Sequence, residues 1–180
     1  MRKNVEVEIR SFINKQKYLD LIKFLKKKAK FLEQEKQLTY YFSGPADLRI
    51  QKSDNYAKVW LKGGKLHANA REEVEIKVDK KDFSKLKNLF LTLGYKIEIA
   101  WDRTRNNFEW QGCDIAVDFT RGYGYILEVE KLTTSNQAGK ALGQVKDVFK
   151  RLKVLPTPKK DFETKFEWYK KNWKKFVKLK

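Results

Sequence analysis

The chain has 180 residues, enough for one domain with its own core, and we expect a single domain over residues 1–180. It carries 41 Lys and Arg against 23 Asp and Glu, a net charge of +18 that favours polyanionic partners: nucleotides, polyphosphate, nucleic acid or an anionic membrane surface. One His and one Cys exclude an intrachain disulfide and a zinc site built from several such ligands, and they favour a reducing, cytoplasmic location. Any bound metal is therefore expected to be Mg²⁺ or Mn²⁺ held by carboxylates.

The first predicted strand, residues 3–12, alternates charged and apolar side chains. Glu6, Glu8 and Arg10 lie on one face, because side chains two apart on a strand point the same way. Alone, such a strand would more often be a solvated edge. Similar charged faces recur along the chain, and together they suggest a sheet curled around a polar interior.

The pattern of the whole chain predicts eight strands and four helices. Most strands follow one another through short links, which favours antiparallel pairing. We therefore expect an α+β fold, with an eight-stranded antiparallel β-barrel that forms a tunnel and helices packed outside it. The further strands are predicted at 35–43, 47–52, 56–62, 70–79, 95–109, 113–119 and 124–132, and the helices at 15–31, 81–93, 136–152 and in the aromatic-rich segment after Pro158.

The charged residues of these strands fit the needs of a triphosphate site. Guanidinium and ammonium groups from several directions grip phosphate oxygens, and hard divalent cations prefer carboxylate oxygens. The acids that could hold a metal are Glu6, Glu8, Glu73, Glu75, Asp118, Glu128 and Glu130. The bases that could bind phosphate are Arg10, Arg49, Lys58, Lys62, Arg71, Lys77, Arg103 and Arg105.

The ordered set of motifs resembles the CYTH superfamily, the triphosphate tunnel metalloenzymes, over roughly residues 4–132. Any one motif alone is weak support, but the set in this order is specific. The matching segments are Glu6-x-Glu8-x-Arg10, Leu48-Arg49, Lys58-Val59-Trp60-Leu61-Lys62, Arg71-x-Glu73-x-Glu75, Arg103-Thr104-Arg105, and Asp118 followed by Glu128-Val129-Glu130.

The resemblance implies an enzyme that acts on a triphosphate inside the tunnel. It implies that Glu6, Glu8 and Arg10 act at the reacting centre, that metal ligands are among the acids named above, and that Arg49, Lys58, Lys62, Arg71, Arg103 and Arg105 bind phosphates. Two residues depart from the family pattern. Arg10 replaces the usual Lys, and Gln51 replaces a frequent second Arg.

Three functions follow from the resemblance and the departures. We expect metal-dependent hydrolysis of inorganic, nucleoside or thiamine triphosphate first. Cyclisation of ATP to cyclic AMP, as in class IV adenylyl cyclases, is the second enzymatic alternative. A module that binds polyphosphate, nucleotide or RNA ends without turnover is the third. A small triphosphate is favoured over nucleic acid as the partner, no membrane partner is expected, and either a monomer or a homodimer fits.

Overall fold

The computed structural model describes residues 4–62 and 73–179. Its eight strands are β1 (Asn4–Ile13), β2 (Lys30–Phe42), β3 (Asp47–Lys52), β4 (Tyr56–Lys62), β5 (Glu73–Asp79), β6 (Ile97–Trp110), β7 (Cys113–Thr120) and β8 (Gly124–Thr134). Its four α-helices are α1 (Lys15–Lys28), α2 (Phe83–Thr92), α3 (Ala138–Arg151) and α4 (Lys159–Asn172). Short 3₁₀ turns at 80–82, 135–137 and 173–175 adjoin α2, α3 and α4.

All eight strands form one antiparallel sheet, in the order β1-β8-β7-β6-β2-β3-β4-β5. The predicted α+β fold, with eight antiparallel strands and helices outside, is confirmed. Within the described residues, the sheet is not closed into a barrel, because β1 and β5 are its two edges. The first strand pairs with the last, so residues from the two ends of the strand region become neighbours.

Helix α1 is shorter than the predicted helix 15–31. It begins after Asn14, whose side chain accepts a hydrogen bond from the Lys17 amide, and it ends at Lys28. Ala29 already has extended backbone angles, and β2 starts at Lys30 instead of residue 35. The extra residues of β2 pair with β6, so tertiary pairing overrides the helical propensity of this segment.

The apolar face of the sheet packs against helices. Val117 and Val129, on neighbouring strands β7 and β8, are fully buried in a cluster with Leu25 of α1 and with Val145 and Phe149 of α3. The intervening residues of the same strands point to the opposite face, where the charged side chains lie. The helices thus hold the sheet from outside and leave its polar face for the site.

Edge strand β1 is covered by the segment that leads into α4. Ser11 donates a hydrogen bond to the Leu155 carbonyl at 2.6 Å, and the Phe12 amide donates to the Thr157 hydroxyl at 2.9 Å. The Thr157 amide in turn donates to the Arg10 carbonyl at 3.2 Å. These bonds satisfy an edge that would otherwise be open to pairing with another chain.

Candidate active site in the charged cavity

The polar face of the sheet surrounds a cavity of about 490 Å³. Most of the predicted site residues meet there, although the chain contributes them from strands that are far apart in sequence. The predicted residues that line the cavity are Glu6, Glu8, Arg10, Arg49, Lys58, Arg103, Arg105, Asp118, Glu128 and Glu130.

Four of the site residues that the family resemblance implies are not placed in this lining. Arg71 lies outside the described residues, and for Lys62 and Glu73 only the backbone is described, as neighbours in the β4–β5 pairing. Glu75 does not line the cavity and instead pairs with Lys58, its carboxylate oxygen 2.6 Å from Nζ. These four residues remain predictions.

Strand register assembles an acidic cluster at β1 and β8. Glu8 lies opposite Glu130, and Glu130 lies opposite Asp114 on β7. Glu6, Glu8 and Glu130 each offer a carboxylate oxygen within 4.8 Å of the others. Burial, and then the neighbouring charges of Glu128 and Glu6, raise the pKa of Glu130 to about 9.

This cluster fits a hard divalent cation. Mg²⁺ and Mn²⁺ bind carboxylate oxygens at about 2 Å, so three oxygens with this spacing could share one ion. Burial and then the negative charges of Glu128 and Glu6 raise the pKa of Glu130, and a nearby cation would favour its charged form. The donor chemistry and the electrostatics therefore both favour a metal at Glu6, Glu8 and Glu130.

Arg105 occupies the centre of the charged network. Its Nη2 lies 2.6 Å from Glu128, its Nη1 lies 3.2 Å from Asp118, and its Nε donates to the Asn107 side chain at 3.0 Å. Burial alone would lower the pKa of Arg105, but Asp118, Glu128 and Glu130 hold it well above its usual value. The guanidinium is therefore permanently charged and fixed in direction.

Asp118 and Glu128 are held by arginines, although they were predicted as metal ligands. One Asp118 oxygen binds both Arg103 and Arg105, at 3.3 and 3.2 Å. Burial still raises the pKa of Asp118, against the effect of Arg105 and Arg103. Burial would also raise the pKa of Glu128, but Arg105 and then Arg10 lower it to about 2. Glu128 is thus a stable anion paired to the protein's own cations.

Arg49 is clamped between an acid and two aromatic rings. Its Nε donates to Asp47 at 2.7 Å, its guanidinium lies 4.1 Å from the ring centre of Tyr41, and Trp60 is 5.7 Å away. Lys58 lies 4.6 Å from the ring centre of the same Trp60. Stacking and ion pairing together fix these cations at the aromatic side of the cavity.

Arg10, the departure from the usual Lys, joins the acidic cluster to α4. Its Nε lies 2.8 Å from Glu8, and its guanidinium lies 5.1 Å from the ring centre of Phe162. A planar guanidinium can make both contacts at once, whereas a Lys ammonium offers a smaller, rotating donor group. Arg10 also lies opposite Glu128 in the β1–β8 pairing.

Unsatisfied polar atoms are concentrated in the cavity wall. Within residues 4–62 and 73–179, the buried side-chain atoms without a hydrogen-bond partner are Glu35 Oε1, Trp60 Nε1, Trp101 Nε1, Asp118 Oδ1 and Thr120 Oγ1. Each of these five residues lines the cavity. Because buried polar atoms are normally paired, their partners are expected among the molecules that enter the cavity.

The sequence prediction missed Glu35 and Gln37, which β2 places in the cavity wall. Gln37 accepts hydrogen bonds from Arg103 Nε and Nη2 at 2.9 and 2.6 Å. A signal was present, because polar residues recur two apart from Glu33 to Thr39. The predicted strand 35–43 contains three of these four residues, but its polar face was not assigned to the site.

The described helices include none that is both long and apolar enough to span a bilayer.

Comparisons with known proteins agree with this geometry. A family model described as the CYTH domain matches residues 4–166. A protein of Methanocaldococcus jannaschii, named provisionally as an adenylate cyclase, is 29% identical over 162 residues, which are 83% of this chain and 90% of that protein.

Solved structures show the same fold. A conserved hypothetical protein of Pyrococcus furiosus has a TM-score of 0.72 at 26% identity, covering 83% of this chain and 91% of that one. A Hippeastrum protein, described as a provisional adenylyl cyclase with a dominant triphosphatase activity, has a TM-score of 0.63 at 18% identity, covering 86% and 90%. At that identity the second likeness concerns the fold alone. Because the family model matches nearly all of the chain, this protein belongs to the CYTH domain family.

Proposed function

We propose that this protein is a divalent-metal-dependent hydrolase of a triphosphate, either inorganic triphosphate or a nucleoside or thiamine triphosphate. One observation carries the proposal: a single cavity holds the Glu6, Glu8 and Glu130 cluster beside the guanidinium groups of Arg10 and Arg105. The carboxylates suit a hard cation, and the guanidinium groups suit phosphate oxygens.

In this mechanism Glu6, Glu8 and Glu130 would hold Mg²⁺ or Mn²⁺, which would neutralise charge on the phosphate oxygens. Arg103 and Arg105 bind the phosphate chain and stabilise the charge that builds up as the phosphorus–oxygen bond breaks. The remaining predicted phosphate ligands are Arg49, Lys58, Lys62 and Arg71, and the remaining predicted metal ligands are Glu73, Glu75, Asp118 and Glu128.

Arg10 and Glu8 are proposed to act at the reacting phosphate. Their ion pair, 2.8 Å long, fixes the guanidinium beside the acidic cluster. Arg10 could then bind a terminal phosphate oxygen while Glu8 serves as a metal ligand. Hydrolysis is placed first because it needs only the acidic cluster and the phosphate contacts of the cavity, whereas cyclisation also needs a pocket for the base.

Cyclisation of ATP to cyclic AMP is the second candidate. The relative from Methanocaldococcus jannaschii carries an adenylate cyclase name. The cavity also has an aromatic side, where the buried indole N–H groups of Trp60 and Trp101 lack a partner. A nucleobase offers acceptor atoms and a flat apolar face that would suit this side.

Product analysis separates the candidates. Purified protein is incubated with Mg²⁺ or Mn²⁺ and with inorganic triphosphate, ATP or thiamine triphosphate, and phosphate, pyrophosphate and cyclic AMP are measured. Phosphate release that is lost in Glu130→Gln supports hydrolysis, and cyclic AMP with pyrophosphate supports cyclisation. Tight binding without product under either metal would instead support a non-catalytic binding module. Glu163→Gln, on the exposed side of α4, is the matched control.

We also infer a single domain, a cytoplasmic location, and a monomer or homodimer. The buried free thiol of Cys113 suits a reducing compartment.

A further inference from the structure

We propose that Glu35 is a catalytic residue that accepts a proton from the attacking nucleophile. In the hydrolysis proposed above, this nucleophile is water. The inference rests on that proposed function and deepens it. Glu35 belongs to none of the sequence motifs, yet its side chain lies in the cavity wall and is only 3% exposed.

A chain of hydrogen bonds orients the Glu35 carboxylate. Arg103 Nε and Nη2 donate to the side-chain oxygen Oε1 of Gln37, at 2.9 and 2.6 Å. These bonds orient the Gln37 amide, with its nitrogen on the side away from Arg103. The amide nitrogen of Gln37 then donates to Glu35 Oε2 at 2.7 Å. One carboxylate oxygen is thereby occupied, and the other, Oε1, is buried without a partner.

Glu35 is not needed as a counter-charge for the neighbouring arginines. Arg105 directs its Nε, Nη1 and Nη2 to Asn107, Asp118 and Glu128. Arg103 directs its donors to Gln37 and Asp118. The two guanidinium groups therefore already have acceptors, and a further buried carboxylate costs desolvation energy that a purely structural role does not explain.

The position of Glu35 suits attack across the cavity. Glu35 lies opposite Arg105 in the β2–β6 pairing, so it borders the proposed phosphate site. Strands β8, β7 and β6 lie between β1 and β2 in the sheet, so Glu35 and the acidic cluster belong to separate parts of the cavity wall. A phosphate chain bound by Arg105 could contact both.

The chemistry of the Glu35 carboxylate selects its partner. A carboxylate repels phosphate oxygens but accepts hydrogen bonds from water or a hydroxyl group. Its terminal torsion is soft, so a small rotation presents Oε1 to a molecule in the cavity. The free oxygen is thus suited to the nucleophile and not to the phosphate itself.

In the proposed step, one bond to phosphorus forms while another breaks. The water oxygen forms a bond to phosphorus, and the bridging phosphorus–oxygen bond breaks with its electron pair leaving on the departing phosphate. The water proton moves to Glu35 Oε1, and solvent later removes it. In cyclisation the ribose hydroxyl would take the place of water and pyrophosphate would leave.

The test compares Glu35→Gln, Glu35→Asp and the wild type in steady-state phosphate release with Mn²⁺ and inorganic triphosphate. Glu35→Gln keeps the size and the hydrogen bond to Gln37 but removes the proton acceptor. We expect kcat to fall by about 100-fold or more with KM within about threefold, the range typical of a lost general base. The thermal unfolding temperature of Glu35→Gln should not fall, and its increase on adding Mn²⁺ should be retained.

Glu109→Gln is the control, since Glu109 is an exposed carboxylate at the end of β6 that pairs with Lys30 and lies outside the cavity lining. It should keep kcat within about threefold of the wild type, because no proton transfer is assigned to it. An equal loss in Glu109→Gln, or a kcat retained in Glu35→Gln, would overturn the role of Glu35 while hydrolysis by the wild type stands. If the wild type forms no product from any triphosphate, the proposed function itself fails, and the role of Glu35 fails with it.

Glu35→Asp covers the case in which Glu35→Gln does not fold. It keeps the charge but withdraws the carboxylate by one methylene, so we expect kcat to fall by about tenfold with KM retained. An unchanged kcat in Glu35→Asp would overturn the proposal.

Discussion

Arg105 Nη2 lies 2.6 Å from Glu128 Oε1, so a carboxylate that the family pattern assigns to metal is bound by a cation of the protein itself. Two residues further along β8, Glu130 lies among acids instead. The two carboxylates share one face of one strand, yet their surroundings move their pKa values in opposite directions. Because of this contrast, mutation of Glu128 and mutation of Glu130 should have different effects on stability.

Glu128→Gln and Glu130→Gln should have opposite effects on the stability of the metal-free protein. Glu128→Gln weakens a buried ion pair and should lower the free energy of unfolding by about 2 kcal/mol. Glu130→Gln removes a carboxylate whose charged form is disfavoured by burial and then by Glu128 and Glu6, and it should leave the free energy of unfolding unchanged or raise it. Urea unfolding in EDTA measures both, and an equal loss in the two variants would contradict the assignment.

The metal-free protein should lose stability as pH rises above about 4.5. Glu130 has its pKa raised from 4.5 to about 9, so its contribution is complete below pH 4.5 and is lost as pH rises towards 9. Glu128 has its pKa lowered to about 2, so its contribution is present above pH 4.5 and is lost as pH falls towards 2. Thermal unfolding across this range should show the alkaline decline in the wild type and a weaker one in Glu130→Gln.

Divalent cations should stabilise the wild type and not Glu130→Gln. A ligand at 100 times its dissociation constant adds about 2.7 kcal/mol to the free energy of unfolding, because it binds only the folded state. Calorimetry with Mn²⁺ alone, without substrate, measures this directly. Glu109→Gln, an exposed acid at the end of β6 paired with Lys30, is the control and should respond like the wild type. Equal stabilisation of Glu130→Gln would place the metal elsewhere.

Gly122→Ala should be strongly destabilising. Gly122 has φ +75°, and a Cβ there would come within 2.2 Å of the Phe176 ring. Overpacking together with left-handed strain predicts a loss of about 3 kcal/mol. Gly143→Ala, inside α3 with open space around it, should instead stabilise by about 1 kcal/mol. Thermal unfolding measures the stability of both variants. An equal change in the two would contradict the packing of Phe176 on Gly122 in the β7–β8 link.

Thr157→Val should weaken the cover of strand β1. The Thr157 hydroxyl accepts from the Phe12 amide at 2.9 Å and lies 3.1 Å from the Ser11 hydroxyl. Losing these bonds should cost about 1 to 2 kcal/mol. Thr164→Val, an exposed site on α4, serves as the isosteric control and should change the free energy of unfolding by less than about 0.5 kcal/mol. Hydrogen exchange at the Phe12 amide should also quicken in Thr157→Val alone.

Much of the sheet was predictable because alternation is a local property. Glu6, Glu8 and Arg10 identify a charged strand face without any knowledge of its partners. The end of α1 was not predictable in this way, because Lys30 to Gln34 become a strand only by pairing with β6. A sequence window contains the propensity of these residues but not their distant partner.

The candidate site shows the same division. The sequence identified Glu128 and Glu130 as acids of one strand face, but only the fold shows that Arg105 binds the first. Glu35 was missed because its role depends on Gln37 and Arg103, which neighbouring strands bring together. Residue type and spacing therefore predict what a site contains, whereas pairing between strands decides which groups are free to act.

The pairing of β1 with β8 has a consequence for biosynthesis. Glu8 is synthesised more than one hundred residues before its partner Glu130. The acidic cluster therefore cannot assemble while the chain is short, and a nascent chain presents β1 as an unprotected edge. Closing so distant a contact is entropically slow. We expect β1 to remain unpaired until β8 has been synthesised, so that the acidic cluster can bind metal only after that point.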